Sequence, residues 1–130
     1  MQLDHIGIAV YQLRPAISKF TKELGFQLVS KETISEEGIR IAKLMNGDVC
    51  IELMEPIGDH SSISNFLNQR GEGIHHFALK VENYLAHVLS ITNSTIQTIY
   101  PNIRVGSDQR RVTFLHPHSL HGVLVEICDS

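Results

Sequence analysis

The sequence predicts an α+β fold made of two similar modules, each with the order strand, helix and three strands. One observation is an internal repeat, because LDHIGIAV near the start returns as IHHFALKV in the second half, with His5 in register with His76. The other is that each copy ends in an apolar, strand-like run with a glutamate between apolar residues, Glu52 in CIELME and Glu126 in VLVEIC. A solenoid needs several shorter repeats, so these two copies indicate a pseudo-symmetric pair.

The length of 130 residues fits a single domain that buries about two-thirds of its unfolded surface. We divide this domain into a first module at about residues 1–56, a linker with a short helix at about 57–73 and a second module at about 74–130. Charged residues make up 19% of the chain, which is ordinary for a globular domain. The net charge of -3 gives no electrostatic reason to expect nucleic acid as a partner.

The apolar runs and the cysteine content predict where in the cell the protein is located. No apolar run approaches the roughly 20 residues that span a bilayer, and the chain enters a strand pattern without a basic leader. We therefore expect no membrane partner and a cytoplasmic location. Cys50 and Cys128 are too few for a disulfide framework, so we expect two free thiols in the core.

The first module begins with a strand whose two faces differ. In LDHIGIAV the large apolar residues alternate with His5, Gly7 and Ala9, so bulk lies on one face and small or polar groups on the other. Apolar spacing predicts a helix at 14–24, and Gly25 is its stop signal. Three short strands follow, separated by turn signals that include Asn-Gly: residues 27–33, 39–45 and 49–54.

The linker and the second module continue this pattern. A short amphipathic helix is predicted at 63–70 and ends at Gly71. The second module then repeats the order of the first, with a strand at 74–81, a helix at 84–92, and strands at 96–100, 111–116 and 122–128.

Adjacent histidines in the second copy must point to opposite faces of their strand. His76 is in register with His5, and we therefore assign it as the candidate ligand. His75 shares its face with Phe77 and Leu79, and we expect it to pack under a helix as a hydrogen-bonded core imidazole.

The two glutamates are each the odd residue on an apolar strand. Burying a lone carboxylate is costly, so each must meet a cation, a hydrogen-bond partner or an open cavity; the alternative is an exposed edge-strand glutamate. Two imidazoles and two carboxylates suit a divalent Zn, Ni, Co, Fe or Mn ion with open positions for water or substrate. A structural zinc site would be richer in thiolate. We therefore predict a catalytic metal site with four ligands, His5, Glu52, His76 and Glu126.

Structural or solvent-exposed roles, not catalytic ones, are expected for most of the other candidate side chains. Cys50 and Cys128 share faces with the glutamates but are interpreted as small core residues. Solvated or loop-packing roles are expected for the remaining histidines, which are His60, His87, His116, His118 and His121. A solvated face, or else contact with an anionic substrate group, is expected for the basic residues around a flexible segment at 106–109, namely Arg104, Arg110 and Arg111.

The strings LDHIGIAV, IELMEP, RGEGIHHFALKV, RVTFLHP and GVLVEI, in this order, resemble the vicinal oxygen chelate superfamily and, within it, the methylmalonyl-CoA epimerases. The resemblance covers essentially the whole chain. It implies a glyoxalase-like fold, in which paired βαβββ modules form a cupped mixed sheet around a divalent metal, and commonly a homodimer. The implied metal ligands are the same four residues that the internal repeat selects.

The activity that the resemblance implies is an epimerase acting on a small-molecule thioester. The expected chemistry is proton abstraction alpha to the thioester carbonyl, with Glu52 and Glu126 as bases on opposite sides of the reacting carbon. Three departures leave the acyl substrate open. Polar residues fill 107–109, where epimerases tend to carry glycines, and 118–122 reads HSLHG. The predicted strand from Ile39 to Met45 contains no carboxylate, whereas some epimerases carry a proposed base on this strand near Ile41.

Three alternatives remain at this stage. The His/Glu/His/Glu set also resembles glyoxalase I, a lactoylglutathione lyase. An extradiol dioxygenase would hold Fe(II) with His5, His76 and Glu126, although Glu52 as a fourth ligand argues against it. A small-molecule-binding resistance protein of the same fold would need no metal and no catalytic group.

Overall fold

The computed structural model describes all 130 residues of the chain. They form two compact units, which we call the first unit (His5–His75) and the second unit (Met1–Asp4 with His76–Ser130). Each unit corresponds to one sequence module, and the linker helix belongs to the first unit. None of the three helices has the length and apolar character that crossing a membrane requires.

The first unit is a four-stranded mixed sheet with two helices. Its strands lie in the order β2-β3-β4-β1; β1 and β4 are parallel, and the other pairs are antiparallel. The elements are β1 (Gln2–Ala9, whose first residues belong to the second unit), α1 (Leu13–Leu24), β2 (Gln27–Ile34), β3 (Ile39–Asn46), β4 (Val49–Pro56) and α2 (Ser62–Arg70).

Local sequence signals explain where these helices begin and end. Gly25 ends α1 in the left-handed region, with φ 74°, and its N–H donates to the Phe20 carbonyl. The Ser61 side chain accepts a hydrogen bond from the Ser64 N–H at the start of α2, which satisfies one of the helix's unpaired donors. The predicted boundaries are therefore accurate to within one residue.

Both faces of the first sheet carry apolar clusters, and the alternation in β1 correctly separates the face of His5 from the face of Ile6 and Ile8. Helix α1 covers one face through an apolar cluster, which contains Val10, Leu13, Ala42, Leu44, Ile51 and Leu53. Helix α2 supplies two members of a cluster on the other face, which contains Ala9, Ile39, Ile41, Met54, Ile63 and Leu67. His5 and Glu52 share this second face, because their strand neighbours Ile6, Ile51 and Leu53 pack towards α1.

The second unit has the strand order β5-β8-β7-β6, again with a parallel pair, β5 and β8, next to antiparallel pairs. The elements are β5 (Gly73–Val81, whose first residues belong to the first unit), α3 (Tyr84–Thr92), β6 (Arg104–Val105), β7 (Arg111–Leu115) and β8 (Val125–Asp129). Helix α3 covers one face through a cluster that contains Val81, Tyr84, Leu115, Val125 and Ile127. The opposite face carries Ala78, Val112 and Cys128.

The strand predicted at 96–100 is wrong. This segment makes a single bridge, Thr98 to Leu115, with the Ile99 N–H donating to the Phe114 carbonyl at 2.9 Å. Pro101 follows, and a proline lacks the N–H that a ladder needs and restricts the residue before it. The second strand of this module is instead the two-residue β6, Arg104–Val105.

The strand predicted at 122–128 begins later than expected. A 3-10 turn covers Pro117–Leu120, and Gly122 then adopts φ 87°, so that β8 starts at Val125. Despite these two shifts, each module has the predicted order of strand, helix and three strands.

Candidate functional site

The first unit brings His5 and Glu52 together. His5 lies on β1 and Glu52 on the parallel strand β4, where Glu52 is in register with Gly7. Nδ1 of His5 is 3.4 Å from Oε2 of Glu52, and the residues are 2% and 3% exposed. The carboxylate predicted to need a partner therefore has a buried imidazole beside it.

The second unit repeats this arrangement with His76 and Glu126. His76 lies on β5 and Glu126 on the parallel strand β8, where Glu126 is in register with Ala78. Nε2 of His76 is 3.3 Å from Oε2 of Glu126, and both residues are buried. The exposed edge-strand alternative is excluded for both glutamates.

The donor set of each pair fits a divalent metal ion. Donor atoms that bind one ion at about 2.0–2.2 Å lie roughly 3.0–3.4 Å apart, which is the range found within each pair. Imidazole nitrogen and carboxylate oxygen suit Zn, Ni, Co, Fe and Mn. Each pair thus offers groups that could hold such an ion, and the role of the four residues as ligands stays a prediction.

The two glutamates face different cross-strand neighbours. Lys43 on β3 lies directly opposite Glu52 in the antiparallel β3–β4 ladder. Phe114 on β7 lies directly opposite Glu126 in the β7–β8 ladder. The Phe114 ring also packs edge-on against the His76 ring, with 5.4 Å between centroids.

Lys43 and Phe114 were not singled out from the sequence. Both lie in strands that the apolar pattern predicts, but the pattern of a single strand does not say which residue on a neighbouring strand it meets. A register assignment between the predicted hairpin strands would have been the signal that places Lys43 opposite Glu52.

The core role predicted for Cys128 is confirmed. His75 packs against a helix, as predicted, but it is half-buried and does not belong to the core. The His75 ring packs edge-on against Phe66 of α2, with 4.9 Å between centroids. Cys128 is fully buried beside Ala78 and Val112. Cys50 is half-buried, and its thiol donates to the carbonyl of Ile51 at 3.9 Å.

The remaining histidines lie on loops or exposed surfaces, as expected. His116 and His118 stack on each other with 4.6 Å between ring centroids, in the turn after β7. His87 contacts the carbonyl of Asn83 at the start of α3. His60 and His121 are exposed.

The solvated role predicted for Arg110 is wrong. Its guanidinium donates to both carboxylate oxygens of Asp4, at 2.9 and 2.7 Å, and the two side chains are 17% and 13% exposed. Arg111 pairs with Asp129 at 2.6 Å, and the Arg104 guanidinium lies 3.7 Å from the Tyr100 ring centroid. The basic cluster is therefore engaged within the chain.

The buried phenol of Tyr84 is the other notable polar group of the second unit. Its hydroxyl is 2.5 Å from the Thr113 hydroxyl, and the residue is 1% exposed. Burial is the main cause that raises the pKa of Tyr84 above its ordinary value of 10.0. This pair lies on the α3 side of the sheet, away from the face that carries Cys128 and Glu126.

Residues 4–114 match the family model of the Glyoxalase/Bleomycin resistance protein/Dioxygenase superfamily. The chain belongs to this superfamily. The family predicted from the sequence motifs is therefore confirmed.

Relatives within the superfamily are methylmalonyl-CoA epimerases. The human mitochondrial methylmalonyl-CoA epimerase is 32% identical over 127 residues, which cover 97% of this chain and 72% of the human protein. The crystal structure of the Mycobacterium tuberculosis methylmalonyl-CoA epimerase has 35% identity and a TM-score of 0.93, over 98% of this chain and 87% of that one.

A third similar protein carries a ligand. A variant of the Streptomyces coelicolor methylmalonyl-CoA epimerase, in complex with 2-nitronate-propionyl-CoA, has 34% identity and a TM-score of 0.94, over 100% of this chain and 94% of that one. The structural matches confirm the predicted glyoxalase-like α+β fold.

Proposed function

We propose that this protein is a divalent-metal-dependent epimerase that acts on the thioester of a 2-substituted malonic acid, such as methylmalonyl-CoA. The observation that carries the proposal is the pair of buried His–Glu couples at equivalent positions of two repeated modules. Its relatives in the superfamily are methylmalonyl-CoA epimerases, which supports the substrate class. Binding of a CoA thioester is supported by the ligand of the Streptomyces coelicolor relative.

We assign one shared metal ion to His5, Glu52, His76 and Glu126. The internal repeat and the donor distances within each pair support this assignment. When bound, the ion supplies positive charge that stabilises negative charge on the substrate's oxygens during proton removal. The side chains hold the ion, and the apolar residues around them exclude water from the reacting carbon.

The proton transfers fall to Glu52 and Glu126. Strand β3 offers no carboxylate, since Ile41 is buried in an apolar cluster. One glutamate oxygen removes the C2 proton of the thioester, and the other glutamate returns a proton to the opposite face of C2. One glutamate enters the reaction as a carboxylate and ends it protonated, whereas the other enters protonated and ends as a carboxylate. Atoms and charge therefore balance, and each epimerisation exchanges the protonation states of the two residues.

The test is solvent deuterium entry at C2 of methylmalonyl-CoA, measured separately for the two C2 epimers. Glu52→Gln and Glu126→Gln should each lower epimerisation by about 10²–10⁴-fold. Exchange should be retained on opposite epimers in the two variants, because each glutamate faces one side of C2. The matched controls are Glu23→Gln and Glu82→Gln, which change exposed glutamates of the first and second units.

Undiminished exchange in both glutamate variants would exclude them as bases. Conversion of the hemithioacetal of methylglyoxal and glutathione, without exchange on methylmalonyl-CoA, would instead identify a lactoylglutathione lyase. Tight binding of a small molecule by metal-free protein, without turnover, would identify a binding protein. A homodimer is also proposed, and light scattering of the purified chain measures it.

A further inference from the structure

Lys43 places a cation on the same sheet face as His5 and Glu52. The β3–β4 register pairs Lys43 with Glu52 and, two residues away, Ile41 with Met54. Side chains of directly opposed residues point to the same face, with their Cβ atoms about 4.5–5.5 Å apart. Lys43 is half-buried, so its aliphatic stem is covered beside the glutamate.

Charged groups of the first unit surround Lys43 on this face. Ser30 of β2 is its other cross-strand neighbour, and Glu32 lies diagonally across, opposite Ile41. Glu52 lies on this face too, and His5 is in contact with it. The other β3 residues on this face, Ile39, Ile41 and Met45, are apolar, so Lys43 is the one charged residue that β3 places on this face.

The second unit indicates that the His–Glu pair does not require this cation. Phe114 lies at the equivalent place opposite Glu126, and His76 and Glu126 still approach to 3.3 Å. The pair geometry is thus reached with either an ammonium or an aromatic ring as the neighbour. An ammonium is therefore not needed to set the distance between the imidazole and the carboxylate.

We propose that Lys43 binds the free carboxylate of the acyl group and so makes the site select thioesters of malonic acids over thioesters with a neutral acyl group. This inference rests on the proposed function. Proton removal at C2 adds negative charge beside a carboxylate that is already ionised, and a nearby ammonium offsets that repulsion. A lysine suits this task, because its compact charge on a flexible stem accepts one carboxylate oxygen in several geometries.

The test compares two thioesters in the unaltered protein and in Lys43→Met. The first is methylmalonyl-CoA, and the second is its analogue with a neutral carboxamide in place of the carboxylate. Lys43→Met removes the charge and keeps the stem, so kcat/KM for C2 exchange should fall by roughly 10- to 100-fold with the carboxylate substrate. The carboxamide should change by less than about threefold, since a neutral group gains little from the ammonium.

The matched control is Lys31→Met, which removes the same charge from the same hairpin. Lys31 is exposed and lies opposite Ala42, on the other face of the sheet, so both substrates should keep their rates. Lys43→Arg should restore part of the preference for the carboxylate, because it restores the charge. Metal content and the midpoint of thermal unfolding should be the same in Lys43→Met and the unaltered protein.

A second measurement does not depend on turnover. 2-Nitronate-propionyl-CoA carries two oxygens and a negative charge in place of the carboxylate, and calorimetry with metal-loaded protein should detect weaker binding by Lys43→Met, again by roughly 10- to 100-fold. Equal losses with both thioesters, no loss with either, or loss of the metal in Lys43→Met would each overturn the assignment. Absence of exchange in the unaltered protein would instead overturn the proposed function and, with it, this inference.

Discussion

The two units share a buried His–Glu pair and differ in what surrounds it. Opposite Glu52 stands Lys43, whereas opposite Glu126 stands Phe114, which also packs against His76. The donor atoms are nevertheless 3.4 and 3.3 Å apart in the two units. The repeat therefore retains the pair itself and varies the neighbouring position.

On the helix-covered face of each sheet, it is the second unit that carries the additional polar groups. In the first unit, Leu13 of α1 and Ala42 of β3 belong to the same apolar cluster. The second unit has a hydrogen-bonded pair at the equivalent positions, Tyr84 and Thr113. Each unit thus has one polar feature that the other lacks: Lys43 on the face of the His–Glu pair in the first unit, and the Tyr84–Thr113 pair in the helix-covered core of the second.

The two units have the same His–Glu pair but different residues opposite the glutamate, and the proposed function gives each of these two properties its own role. Under the proposed function, equal donors from the two modules suit a single ion. The proposed role of Lys43 towards a substrate carboxylate accounts for the unequal neighbours.

The largest expected effect follows from changing the histidines one at a time. The unaltered protein should bind one divalent ion per chain, and His5→Gln and His76→Gln should lose it equally. Loss of a ligand should weaken metal binding by more than about 100-fold, since even outer partners of ligands cost 10- to 100-fold. The measurements are metal analysis after dialysis and C2 exchange.

The free energy of unfolding, measured with and without metal, is a second test of the same histidine variants. A metal at 100 times its dissociation constant should stabilise the unaltered protein by about 2.7 kcal/mol, and neither histidine variant should show this gain. His60→Gln and His121→Gln, which change exposed histidines, are the controls. Two ions per chain, or a loss in only one histidine variant, would contradict a shared site.

The next effect concerns the cores behind the glutamates. Leu53 and Ile127 follow Glu52 and Glu126 on their strands, and they are 0% and 1% exposed. Leu53→Ala and Ile127→Ala should each lower the free energy of unfolding by about 2–5 kcal/mol, because each leaves a cavity under a helix. Urea denaturation measures the loss.

Exposed valines at or just before the start of the same two strands are the controls. Val49→Ala and Val123→Ala change side chains that are 50% and 43% exposed, and each should cost less than about 1 kcal/mol. A cost as small as this at Leu53 or Ile127 would show that the two cores are not equivalent.

The smallest effect tests the polar pair of the second unit. Tyr84→Phe should lower stability at neutral pH by about 1–2 kcal/mol, because the Thr113 hydroxyl loses its partner. Replacing both residues by their first-unit counterparts, Tyr84→Leu with Thr113→Ala, removes this unpaired hydroxyl. Urea denaturation of the single and double variants separates that cost from the loss of packing.

Tyr84→Phe should also change how the free energy of unfolding depends on pH. Burial raises the pKa of the Tyr84 phenol, so above pH 10.0 the unfolded chain releases its proton while the folded chain keeps it. Stability is therefore lost as the pH rises from 10.0 towards the pKa of the folded state. Tyr84→Phe should remove that fall, and identical pH profiles of the two proteins would contradict the pKa direction.

Much of the fold could be predicted because its signals are local. Alternation in LDHIGIAV separates the face of His5 from the face that packs under α1, and Gly25 ends that helix in a left-handed conformation. The segment at 96–100 failed for a tertiary reason. Its strand-like residues run alongside β7, but Pro101 ends the pairing after one bridge.

The candidate ligands could be predicted for a different reason, because the internal repeat supplies a second copy of each. His5 and Glu52 in one module, and His76 and Glu126 in the other, were selected from register alone, and each pair proves to be in contact. The engagement of Arg110 by Asp4 has no counterpart in the repeat, and the sequence therefore gave no indication of it.

The sequence by itself determined the order of the elements, the face of each strand and the two His–Glu couples. These properties depend on the period-two alternation of a strand and on the comparison of two copies, which are both contained in the chain order. The tertiary structure was needed to show that Lys43 lies opposite Glu52 and that Phe114 lies opposite Glu126 on the neighbouring strands. The physical reason is that hydrogen bonds between separate strands set the cross-strand register, and a shift of one residue would move every side chain to the other face.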